Sequence, residues 1–224
     1  MRRSETGALK YSQVKSKRID QRSRVNKIMV TPAEREYLLT QLVETCERVL
    51  RTLQGLSREQ LVYCPEAGRW SVADKIEYLL VTEERVVGGI EKLLQQPPAH
   101  SKRPAISDEE VVTQVGTVLE RVQALPQSMP ASRWPPEVLL QEFQKTRQRT
   151  YDFAATVDGD LRHRFMPHFL FGDLDCYQWL VLLAMHCQRH CAQSEHVKAS
   201  PGFPSWQPVA TAKILAPASA MRKS

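Results

Sequence analysis

His186 and His190 carry the one spacing in this chain that suggests chemistry. Four residues apart on a helix, two imidazoles lie on one face, a turn apart, and can share one metal ion. The two histidines of an HExxH zinc helix work this way. Here the intervening residues are Cys187, Gln188 and Arg189. No glutamate follows the first histidine, so the general base of a zinc protease is missing and that class is excluded. The alternative is a pair of interior histidines satisfied by hydrogen bonds, without an ion. Cys187 and Cys191 sit on the same stretch, about 100° round the helix from the histidines. The five cysteines are odd in number and include no CxxC pair, which reads as reduced, buried thiols and not a disulfide framework.

The histidine helix needs partners to hold it. Its own start is capped by Asp173 or Asp175, and its apolar run from Trp179 to Met185 fits a buried helix. Thr31-Pro-Ala-Glu34 combines a cap, a first-position proline and a capping box, and opens a helix over about 32–54. Ser57 to Gln60 marks a short turn of helix. After the breakers Pro65 and Gly68, Ser71 caps a helix ending near Leu94. Ser107-Asp-Glu-Glu110 starts a shorter one, about 108–124, and helical patterning returns from about Pro136 to Val157. No segment shows convincing strand alternation. The expected architecture is all-α: an antiparallel four-helix bundle with an extra short helix in a long middle connection.

Charge divides the chain. Residues 1–30 hold nine Lys or Arg against Glu5 and Asp20, while the remainder holds 22 basic and 23 acidic side chains. The expected plan is a basic, disordered tail over 1–30, a helical domain over 31–199, and a Pro/Ala/Ser-rich disordered tail over 200–224. The tail's charge reads as solvated, and nucleic acid is not the expected partner. No apolar run approaches the roughly 18 residues a membrane span requires, and no apolar signal segment opens the chain. A cytoplasmic protein is expected.

Three blocks carry a family resemblance: LQGLSREQLVYCPEAGRWSVADKIEYLL, RWPPEVLLQEFQKTRQRT and PHFLFGDLDCYQWLVLLAMHCQRHCAQ. In order and spacing, over about residues 33–198, they resemble the DinB-like superfamily of bundles. The resemblance implies a divalent metal, zinc or nickel, held by three histidines, and in several members transfer to a low-molecular-weight thiol. Carried over position by position, the ligands fall at His186, His190 and Tyr78. The tyrosine is a departure, because a phenol with an ordinary pKa near ~10 is a poor ligand at neutral pH. Asp74, one turn earlier on the same face, is the best carboxylate candidate. His168 falls in the loop capping the bundle, within reach of the pocket mouth. The implied function is a metal-dependent, thiol-using transferase with a degraded Tyr-His-His site. The alternative is a non-catalytic binding or interaction module that has lost the metal. Apolar excess on the first and third helices would allow a homodimer. Arg189 is expected to face away from the histidines, the tryptophans to pack as core or loop anchors, and His100 and His196 to be solvated.

Overall fold

The computed structural model describes residues 29–117 and 125–205. Nearly all of the expected basic tail, most of the expected C-terminal tail, and residues 118–124 of the expected short helix lie outside them. The elements are α1 (Pro32–Leu53), α2 (Arg58–Leu61), α3 (Val72–Leu94), α4 (Asp108–Thr117), α5 (Pro136–Thr156), β1 (Phe165–His168), β2 (Gly172–Asp175) and α6 (Cys176–Lys198). Reciprocal capping boxes fix five of the helix starts: Thr31 with Glu34, Ser57 with Gln60, Ser71 with Asp74, Ser107 with Glu110, and Asp175 with Gln178. Each satisfies backbone N–H groups that the first helical turn leaves without partners.

The four long helices form a ring in which α1 and α3 each pack between α5 and α6. Their directions follow from contacts at the ends. Tyr177 Oη donates to the Glu34 carbonyl and Lys198 Nζ to the Thr52 carbonyl, so α1 and α6 run parallel. Arg35 at the start of α1 donates to the Ala154 and Val157 carbonyls at the end of α5, so that pair is antiparallel. Glu77 meets Arg133 and Glu84 meets Arg149, so α3 and α5 run parallel. A parallel neighbour forces the chain back along the whole bundle, and residues 95–135 make that crossing, with α4 packed on α6. From Leu180 to Met185 every residue of α6 is buried. An all-round apolar helix has to be covered on every side, and α1, α3 and α4 supply the cover.

Arg162 gathers three helix starts. Its guanidinium bonds Glu34 at α1, Asp108 at α4 and the cap Asp175 at α6, and lies 4.0 Å over the Tyr177 ring. Three acidic groups at helix N-termini are each favoured there, and one cation offsets their mutual repulsion.

The structure corrects the reading in two places. A two-stranded antiparallel hairpin stands where no strand was expected, with Phe165 opposite Asp175 and His168 opposite Gly172. Each strand is four residues long, too short for alternation to register, and Pro167 obscures the first. Gly172 takes φ +70° at the turn, where a side chain would be strained. Residues 201–204, assigned by composition to a tail, pack on α2. Phe203 lies edge-on to Tyr63, and Gln60 donates to the Pro204 carbonyl at 3.0 Å.

Candidate functional site

A cavity of about 1500 Å³ opens between α3 and α6. The loop before α3, the segment at Leu125–Met129 and the β1–β2 hairpin close its sides. Trp179 Nε1 donates to the Met166 carbonyl at 3.1 Å and ties the hairpin to α6. A side chain at Gly89 would meet Met166 Sδ at 2.8 Å, so the glycine lets the hairpin lie close on α3. The hairpin tip, Phe169 and Leu170, is half exposed at the rim.

His186, His190 and Tyr78 all line this cavity. Their Nε2 atoms are 2.9 Å apart. The Tyr78 ring meets both imidazoles edge-on, at centroid distances of 5.1 and 5.3 Å, and Trp70 packs against Tyr78 at 5.0 Å. Burial, with the charge of Arg189 adding to it, pushes His186 down to about 3. His190 is pushed well below its ordinary value by burial, and then by His186, Arg189 and Lys75. Both rings are therefore neutral at pH 7, and one Nε2–H donates to the other Nε2. Burial raises the Tyr78 phenol, so it is neutral as well. Lys75, held by the Trp70 and Ser71 carbonyls, is lowered to about 8 by burial.

These residues fit the implied three-ligand metal centre only in part. Two neutral imidazoles at 2.9 Å suit a shared ion. A phenol held above its usual pKa does not, and its contacts with the rings are edge contacts. Neither buried Nδ1 has a hydrogen-bond partner, whereas a ligating histidine ordinarily donates its other N–H to a carboxylate or carbonyl. Among the described residues the one acid on the cavity wall, Glu66, pairs with Arg69. The set does not make a metal centre by itself.

The remaining sequence candidates fall as follows. Asp74 is not on the cavity wall: its carboxylate accepts from the Ser71 N–H and hydroxyl at 2.9 and 2.7 Å and caps α3. Helical spacing put it on the right face, but its bonds to Ser71 consume it. His168 lies on the hairpin and lines the cavity, its Nδ1 accepting from the Leu170 and Phe171 N–H groups. Burial lowers it to about 4. Arg189 does not face away; it lines the cavity with Arg85, and both charges act on Tyr78. Trp70 and Trp179 are wall residues of the cavity as well as anchors. His100 and His196 are exposed, as expected, but each has a contact: His100 against His163, and His196 Nδ1 against the Ala192 carbonyl. Glu83 and Arg147, which sequence reasoning did not pair, form a buried ion pair at 2.9 Å.

A family model described as the DinB superfamily matches residues 41–194. None of the curated proteins matches the chain. Among solved structures the chain is similar to YfiT from Bacillus subtilis, described as "a probable metal-dependent hydrolase with an unusual four-helix bundle topology". The TM-score is 0.46 and the identity 14%, over 77% of this chain and 90% of that one. Among the described residues no helix is long and apolar enough to cross a membrane.

Proposed function

The chain belongs to the DinB superfamily, and on that premise we propose that it is a small-molecule binding module whose ligand is an amphipathic organic anion. The observation that carries this is the wall of the α3–α6 cavity. Its broad surface is apolar, with Val86, Met166, Phe171, Trp179 and Leu182, while Arg85 and Arg189 stand beside Tyr78 and the histidine pair. An apolar ligand body gains by leaving water, at about 25 cal/mol for each Å² covered. An acidic head meets two guanidiniums where the dielectric is low. The neutral imidazoles and the phenol add polar contacts that fix orientation.

The test uses two probes with the same aromatic body. 1-Anilinonaphthalene-8-sulfonate carries an anion, and N-phenyl-1-naphthylamine does not. Titration into the folded protein is expected to show one saturable site, with the sulfonate about tenfold tighter. R85Q/R189Q is expected to erase that difference. No saturable binding of either probe overturns the reading.

A second reading retains metal-dependent transfer to a low-molecular-weight thiol, and the 2.9 Å Nε2–Nε2 distance favours it. It requires a third donor from outside the chain. Elemental mass spectrometry of untagged protein separates the readings: a metal equivalent lost in H186A supports the second. Gain of metal only in Y78H supports the first, because that substitution restores the third imidazole.

A further inference from the structure

A second set of donors lies at the other end of α3. Arg164 donates to the Leu93 and Leu94 carbonyls at 2.8 and 3.4 Å, which places residues 160–164 at the C-terminus of that helix. Tyr78 is sixteen residues earlier, about 24 Å along the axis at 1.5 Å per residue. Among the described residues that line the cavity, none is His100, Asp160 or His163.

We propose that His100, Asp160 and His163 form a binding site for a divalent transition-metal ion, separate from the histidine pair. One ligand atom from each of the three lies within 4.8 Å of the others. Among the described residues, this is the group of three or more His, Cys, Asp or Glu donors that meets this geometry. Two of the donors are buried and already held. The Asp160 carboxylate accepts from the Arg162 and His163 N–H groups, each at 3.1 Å, so its orientation is set by backbone. His163 Nδ1 lies 2.9 and 3.1 Å from the two carboxylate oxygens. His163 is 3% and Asp160 6% exposed. Arg164 bonds the carbonyl of Asp160 and not its carboxylate, so this guanidinium does not compete with an ion for it.

The third donor comes from a different segment. The Ala99 N–H donates to the His163 carbonyl at 2.7 Å and sets the neighbouring His100 against the cluster. The His100 ring meets His163 edge-on at 4.7 Å. His100 is exposed, so the site opens to solvent on its side and leaves coordination positions for water. Two imidazoles and one carboxylate suit zinc, cobalt or nickel and do not suit calcium, which prefers oxygen donors. Ligands held by backbone contacts lose little freedom on binding. An ion here would clamp the crossing segment at residues 99–100 onto the loop before β1. The competing account is that Asp160 serves only its turn and its hydrogen bond to His163, and that no ion binds.

The experiment is a cobalt(II) titration of untagged H186A/H190A protein, followed by visible absorption and equilibrium dialysis. That background removes the pair in the cavity. About one equivalent is expected to bind, and to be lost in H100A and H163Q added to it. Zinc is expected to raise the Tm of the parent and to leave that of the H100A protein unchanged. His100 is exposed, so H100A keeps its fold, which circular dichroism checks. If the double variant does not fold, the comparison moves to the unsubstituted chain, where H100A is expected to remove about one equivalent. No bound cobalt in the parent, or an amount undiminished by H100A and H163Q, overturns the proposal.

Discussion

On one side of α6, His186 and His190 face a cavity of about 1500 Å³. A quarter turn away, Cys187 Sγ accepts from the Arg147 guanidinium at 2.8 Å, and Arg147 pairs with Glu83 at 2.9 Å. Both groupings contain buried polar atoms without hydrogen-bond partners: the two Nδ1 atoms on one side, and Glu83 Oε1, Arg147 Nε and one terminal nitrogen on the other. They meet burial differently. The imidazoles give up their charge, because neutrality is the cheaper form in an apolar surrounding. Burial pushes the Glu83 carboxyl above its ordinary range, and the Arg147 guanidinium beside it acts the other way; the two are 2% and 0% exposed. This sealed pair is out of reach of any ligand and serves the fold. The neutral pair borders open space and is available to one. A polar residue's worth to function therefore rests here on what its free atoms can reach, not on how unusual its burial is.

The largest effect is expected from breaking the sealed pair. R147M leaves Glu83 as a buried carboxylate without a partner and should cost about 3–5 kcal/mol in guanidinium denaturation. E83L/R147M should recover most of that loss. A full loss in the double variant would show that shape, and not charge, governs the site.

Acid should act on the open pair next. His186 is near 3 in the folded chain and near 6.5 unfolded, so below pH 6.5 the unfolded chain binds the extra proton. Stability is present above the unfolded value and is lost as pH falls. Between pH 7 and pH 5 this loss should amount to about 2 kcal/mol from His186 alone. Denaturation at the two pH values checks it against H186Q, whose stability should fall less by that amount. An equal fall in both proteins would contradict the neutral-imidazole account.

The smallest effect separates cap from cavity. D74A should cost about 1 kcal/mol through the start of α3 and leave probe affinity unchanged. A loss of affinity would return Asp74 to the site.

Helix starts were readable because a capping box is local: the pairs Thr31–Glu34 and Ser71–Asp74 are three residues apart and appear in the structure as reciprocal hydrogen bonds. The long middle connection was readable from the separate, shorter helix that Ser107-Asp-Glu-Glu110 starts within it. The hairpin was not, because two four-residue strands offer too few positions for alternation. Of the cavity, the sequence showed the His186–His190 spacing and the tyrosine at position 78. It misplaced Arg189, which is three residues after His186 and so only about 60° round the helix from it, a neighbour on the face that lines the cavity. It could not pair Glu83 with Arg147, or His100 with His163, since partners 64 and 63 residues apart leave no local pattern.

On the proposed reading, the cavity binds its ligand through this chain's own side chains. The most direct test is the sulfonate-probe titration before and after treatment with a strong chelator, with metal content measured in both samples. One site with the same affinity is expected in each. Binding that disappears on chelation and returns with zinc or nickel would contradict it, and would place an ion at His186 and His190.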